Sequence, residues 1–188
     1  MTLFFKSPLF AFLLVFVIGL VGCGKAPVAE QAASEQANSV KKEITVVVEK
    51  FLNAVRSGND DEIFMMLSPK AREVCGKDRL PSVPASDVAE FRIDTIQLVS
   101  DLEAQVSTTM FDLDQTGQKM EDTLAWALRK TEEGWKIVGT AFVFFEGMEP
   151  VIVNFESREA IAEAEAQVEA QQKAMAAQIQ KMNETKNR

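Results

Sequence analysis

The chain has 188 residues, 47% of them apolar and 26% charged, the composition of one globular domain with appendages. Its formal charge of −8 at pH 7, with no cluster of Lys and Arg to reverse it locally, excludes nucleic-acid binding and attachment to anionic lipid by charge alone. Histidine and tyrosine are absent, which removes the commonest general base, the commonest metal ligand and a common oxyanion donor.

Residues 1–22 fall into three zones. The start is positive, with Lys6 and the amino terminus; residues 9–20 form an unbroken apolar run; Leu20-Val21-Gly22 then leads into Cys23. A cleavable signal peptide needs roughly 7–15 apolar residues and a spanning helix about 20, so this run suits the signal peptide. Leu20-Val21-Gly22-Cys23 resembles the bacterial lipobox. The resemblance implies that residues 1–22 are a lipoprotein signal peptide cut before Cys23, that diacylglycerol is attached to the Cys23 thiol, and that the new amino terminus is acylated. Two or three acyl chains hold stably where one holds weakly. The implied address is the cell envelope: exported across the inner membrane and lipid-anchored, with the membrane as partner through Cys23. Without residues 1–22 there remain 19 basic and 28 acidic side chains, a net charge of −9. With lipid on Cys23, Cys75 has no partner within the chain and reads as a small buried thiol.

Residues 24–39 are rich in Ala, Gln, Glu, Ser and Asn, with Pro27, no aromatic residue and Val28 as the only larger aliphatic one. Residues 23–39 therefore read as the lipidated cysteine and a flexible tether, with an end-to-end distance on the order of 20 Å. The folded domain is expected over residues 40–156. Ile44, Val47, Val48, Phe51, Leu52 and Val55 recur at spacings of three and four, which predicts a helix over residues 40–56 stopped by Ser57-Gly58-Asn59. Asn59 or Asp60 can cap a second short helix through Ile63, Phe64 and Leu67. Ser68-Pro69 matches an N-cap followed by Pro at the first helical position, opening a third that ends near Cys75-Gly76. Residues 77–87, with Pro81 and Pro84, predict a loop.

The period then changes to two. Phe91, Ile93 and Thr95 mark one strand, residues 104–113 a second, Leu124, Trp126 and Leu128 one face of a third, with Ala125 and Ala127 opposite, and residues 135–145 a fourth, with turns at Asp114-Gln115-Thr116-Gly117 and Glu132-Glu133-Gly134. In the fourth strand, alternation places Ile137, Ala141 and Val143 on one face and Val138, Phe142 and Phe144 on the other. Two apolar faces require two covers. The second would be the C-terminal segment or another chain, making a homodimer or an envelope protein the partner at the sheet face. Helices followed by antiparallel strands make an α+β fold: N-terminal helices on a curved antiparallel, cone-like sheet, then a long C-terminal helix.

The run from Val48 to Asn59, then Leu67-Ser68-Pro69, and the closing Glu133-Gly134-Trp135-Lys136-Ile137-Val138-Gly139 resemble the nuclear-transport-factor-2-like cone, also called the ketosteroid-isomerase-like fold. The resemblance spans residues 40–156. It implies the fold and leaves function open, since that family mixes enzymes with binding modules. With the exit at Asn154-Phe155-Glu156 into a C-terminal helix, the whole chain is also similar to planctomycete-type lipoproteins.

Residues 157–188 contain no Gly or Pro and are dense in Ala, Glu, Gln and Lys, a helix capped by Ser157. Residues 161–168 are expected to dock on the domain and the last turns to be solvated. Candidate chemistry is sparse. Cone enzymes that this domain resembles use a pocket acid or base, and only carboxylates are left here: Asp94 and Asp112, both in strands. Asp112 and Asp114 near Gln115 and Gly117 lack the spacing and terminal Glu of a calcium loop. Trp126 and Trp135 could line a pocket but read as core, as do Met65 and Met66. No catalytic residue, metal ligand or cofactor is implied. The function expected is a non-catalytic binding or interaction module, the alternative a small-molecule isomerase, dehydratase or cyclase using a pocket carboxylate.

Overall fold

The apolar stripe between residues 40 and 56 is the inner face of the first helix, α1 (Val28–Arg56), and the core begins there: Ile44, Val48 and Leu52 are fully buried and Phe51 nearly so. The computed structural model describes residues 28–77, 86–113, 116–143 and 147–186, so residues 1–22, expected to be a signal peptide, and Cys23 lie outside the described residues. α1 begins twelve residues before the stripe does. This corrects the reading of residues 28–39 as flexible tether. Ala, Gln and Glu dominate that stretch and are good helix formers. Extending a helix whose next turns are already docked also avoids the cost of nucleation.

At its far end α1 stops as the sequence suggests. Gly58 takes the left-handed conformation at φ 62°, the Gly58 N–H donates to Val55 O at 3.1 Å, and the Asn59 N–H donates to Ala54 O at 2.9 Å. These two bonds close a Schellman motif, which favours Gly because the residue there has a positive φ. Asn59 then caps α2 (Asp60–Met66) by accepting from the Glu62 N–H. Ser68 Oγ caps α3 (Pro69–Cys75) by accepting from the Ala71 N–H at 3.1 Å, with Pro69 in the first turn. Of the two methionines read as core, Met66 is buried and Met65 is 56% exposed. α2 is two turns long and turns its Ile63 and Met66 side inward, which leaves Met65 on the outer side.

Among the described residues five antiparallel strands follow: β1 (Glu90–Leu98), β2 (Glu103–Leu113), β3 (Lys119–Thr131), β4 (Gly134–Phe142) and β5 (Val151–Asn154). They lie in one sheet in chain order, which leaves β1 and β5 as its edges among the described residues. Residues paired directly across a ladder share a face. The pairs Ala104↔Leu128, Val106↔Trp126 and Thr108↔Leu124 therefore set the inner face, which joins Ile44, Val48, Phe51 and Leu52 in the core. The α+β architecture expected from the sequence is the one observed.

Two bulges interrupt the ladders. Ile93 pairs with Thr108 and Thr95 with Ser107, so Asp94 is an extra residue in β1. Leu128 pairs with Ile137 and Ala127 with Gly139, so Val138 is an extra residue in β4. A bulge bends the strand and shifts every later side chain by one. This overturns the expected grouping of β4. Ile137 shares the inner side with Thr140 and Phe142, which pair with Trp126 and Leu124, while Gly139 and Ala141 lie opposite. Phe144 lies outside the described residues.

β5 is a strand that the sequence reading did not assign. It leads into α4 (Arg158–Lys186), whose first turn is capped by Ser157 Oγ accepting from the Ala160 N–H at 3.2 Å. α4 docks on β5 and the chain before it: Ala164 is buried, Gln167 Nε2 donates to Pro150 O, and Gln171 Nε2 donates to Glu149 O. The expected docking over residues 161–168 is present and extends to Gln171. Past that point the helix is mostly exposed, Ile179 included.

Candidate functional site

Trp126 and Trp135 are both in the buried core. The Trp126 ring meets Phe51 edge-on, with centroids 4.9 Å apart, and its Nε1 donates to Thr108 Oγ1 at 3.0 Å. Trp135 Nε1 finds no acceptor among the described residues, while Lys130 Nζ stands 5.9 Å from the ring centroid.

The two strand carboxylates are occupied. Asp94 Oδ2 accepts from Thr109 Oγ1 at 2.7 Å and Oδ1 from Arg92 Nε at 2.6 Å. The Thr109 and Arg92 bonds hold this carboxyl below the ordinary aspartate range. A pocket base would need the opposite shift. Asp112 lies in phase with Val106 and Met110, as expected, but its Oδ1 accepts from Ser86 Oγ at 3.0 Å and from the Leu113 N–H at 2.8 Å. Asp114 and Gln115 lie outside the described residues. Among the described residues, no three Cys, Asp or Glu side chains come together as a metal site. Cys75 is a buried free thiol whose Sγ lies 3.5 Å from Phe155 O, and burial pushes its pKa up, away from the reactive thiolate.

Two polar clusters fasten the layers together. Glu156, between β5 and α4, is buried; it accepts from Ser68 Oγ at 2.7 Å and pairs with Arg129 of β3, which also reaches Glu103. Burial alone would lower the Arg129 guanidinium, but bonds from Glu156 and Glu103 more than offset it and hold it above its ordinary value. In the second cluster Arg72 donates to Met65 O and Leu67 O at the end of α2, and its other guanidinium nitrogen to Glu133 at 2.7 Å. Lys136 Nζ lies 3.2 Å from the same carboxylate and donates to Met65 O. Arg72, then Lys136, hold the Glu133 carboxyl below the ordinary glutamate value. A depressed carboxylate stabilises fully above its unfolded pKa, near 4.3, and loses that effect as pH falls through its lowered folded value. Glu133→Gln should therefore lower the urea midpoint at neutral pH, with the gap to the parent closing as the pH drops below about 4.3. A gap that stays constant down to the acid transition would show that Glu133 does not titrate in this cluster.

What the described surface does offer is an open cleft of about 530 Å³ between α1 and β1. Lys41, Thr45 and Glu49 of α1 form one wall; Phe91, Ile93 and Ile96 of β1 form the other, with Asp94 and Thr95 at the bulge. The cleft lies within the usual range for binding pockets, roughly 300–1,000 Å³. Lys41 and Glu49 make no ion pair with any other described residue. Sequence reading passed over these three α1 residues because they lie on its polar side. Their spacing of four was the available signal, since it places them in one row. Among the described residues no helix is long and apolar enough to cross a membrane.

No protein-family model matches the chain, and no curated protein matches it. Solved structures do. The chain is similar to the association domain of CaMKII from C. elegans, at 15% identity over 57% of this chain and 95% of that one, with a TM-score of 0.43. It is similar to an NTF2-like protein of unknown function from Shewanella oneidensis, at 13% identity over 52% of this chain and 93% of that one, with a TM-score of 0.38. It is also similar to an NTF2-like protein with a cystatin-like fold from Novosphingobium aromaticivorans, at 15% identity over 66% of this chain and 94% of that one, with a TM-score of 0.45.

Proposed function

We propose that the chain is an exported lipoprotein of the bacterial cell envelope, anchored by acyl chains on Cys23, whose α+β domain is a non-catalytic binding module. The observation that carries the anchor is Leu20-Val21-Gly22-Cys23 behind a twelve-residue apolar run. Lipid on the thiol and on the freed amine gives the two or more chains that stable attachment requires. The binding role is supported by the burial of Trp126 and Trp135 in the core and by the engagement of Asp94 and Asp112 in hydrogen bonds. An isomerase, dehydratase or cyclase would need an enclosed pocket with a carboxyl raised toward neutrality. Asp94 moves the other way. A second copy or another envelope protein, met at the sheet, is the partner this reading calls for.

The test is mass spectrometry of the mature protein extracted from membranes, alongside fractionation of Cys23→Ala. The amino-terminal peptide should begin at Cys23 and carry diacylglycerol, and the variant should leave the membrane fraction. A native chain starting at Met1 without fatty acid, or a variant still bound to membranes, would sink the proposal.

A further inference from the structure

We propose that the cleft between α1 and β1 receives an extended peptide segment of a partner protein, which adds to the free edge of β1 as a sixth strand. The proposal deepens the binding-module reading and does not depend on the anchor. Three features of the cleft point to this occupant. First, β1 pairs only with β2 among the described residues, so its outer edge presents unpaired backbone N–H and C=O groups, and these bind any extended chain irrespective of sequence. Second, the cleft lies where the inward side chains of an added strand would go: between the apolar floor of Phe91, Ile93 and Ile96 and the row on α1. A bare edge alone would give no selectivity, and this one has a wall standing over it.

Third, the wall carries opposite charges at a defined spacing. Lys41 and Glu49 are eight residues apart on α1, about 12 Å at a rise of 1.5 Å per residue, with Thr45 between them. An extended chain advances about 3.3 Å per residue, so four residues cover the same span, and residues i, i+2 and i+4 point to one face. For a segment running along α1, the complementary pattern is acid, any residue, apolar, any residue, base. Its carboxylate meets Lys41, its ammonium or guanidinium meets Glu49, and its middle side chain enters the apolar floor. The bulge at Asp94, tied by Arg92 and Thr109, bends the edge strand and limits indiscriminate pairing along its length. The cleft thus selects a short segment and does not template long strands.

The test uses the full mature protein in detergent micelles and a capped peptide Thr-Glu-Thr-Val-Thr-Lys-Thr. Two controls accompany it: Thr-Glu-Pro-Pro-Pro-Lys-Thr, whose three consecutive prolines remove ladder donors from both edges of the segment, and Thr-Lys-Thr-Val-Thr-Lys-Thr. The first peptide should bind at least tenfold more tightly than the proline version and protect the amides of residues 90–98 from hydrogen exchange. Lys41→Glu, an exposed change, should weaken the first peptide at least fivefold and shift preference to the two-lysine peptide. A merely structural role for Lys41 would not reverse specificity. Equal binding of the proline peptide, unchanged preference in Lys41→Glu, or no binding up to about 1 mM overturns the proposal. So does a cleft filled by a second copy, seen as concentration-dependent dimers abolished by Lys41→Glu. Loss of peptide binding with acylation of Cys23 intact overturns the cleft proposal alone.

Discussion

Trp126→Ala is expected to cost about 3–5 kcal/mol of stability, the range for truncating a buried aromatic, out of roughly 5–15 kcal/mol for a whole domain. Trp126 joins three interactions in one side chain: burial at 8% exposure, the edge-on contact with Phe51, and the bond from Nε1 to Thr108 Oγ1. Alanine removes all three and leaves a hole between α1 and the sheet. Urea unfolding should show a lower midpoint at an unchanged slope. The polar part can be separated by a double-mutant cycle. Trp126→Phe keeps a ring against Phe51 and removes the donor. Thr108→Val removes the acceptor and leaves the indole N–H buried without a partner, a penalty of about 1–3 kcal/mol. The double variant should cost less than the sum of the singles, because removing both partners strands neither. Strict additivity would show that this bond contributes nothing to stability.

Gly139→Ala should be as damaging locally, for a different reason. A Cβ on Gly139 would stand 2.5 Å from Val153 O, a backbone atom on the neighbouring strand. No rotamer change relieves a clash with backbone, so the β4–β5 spacing must open. Overpacking of this kind costs about 1–3 kcal/mol, occasionally more. β5 is four residues long, and α4 docks against it. Opening that ladder should therefore loosen the first turns of α4 as well. Hydrogen exchange gives the readout: amides of residues 151–154 and 161–168 should lose protection while those of β2 and β3 keep theirs. Uniform loss across the sheet, or none, would contradict this account.

The sequence carried local signals well and positional ones poorly. Gly58, Asn59, Ser68-Pro69 and Ser157 each marked a helix end, because capping is decided within a few residues. The alternation in β2 and β3 was legible because one face of each is buried, whereas in β1 the bulge at Asp94 turns Thr95 away from the face of Phe91 and Ile93 that the alternation gave it. Val138 was not recognisable as a bulge: the extra residue is defined by its partner strand, and the strand's own alternation carries no mark of it. β5 hid in Val151-Ile152-Val153-Asn154, a run too short to show a period, and Ile152 is 68% exposed. Residues 28–39 misled because low hydrophobicity signals disorder only when nothing helical adjoins it. The cleft itself was illegible. It needs α1 laid beside β1, and the distance along the chain between Glu49 and Phe91 gives no hint of that.

The early start of α1 would also change the mechanics of the proposed attachment. Only four residues separate Cys23 from Val28, and residues 28–39 add about 18 Å of helix before the docked turns begin. With acyl chains on Cys23, the domain would ride on a mast that is continuous with its own core. Its height above the bilayer would be set by helix length, and the cleft, whose wall is the same helix, would keep a fixed bearing relative to that mast.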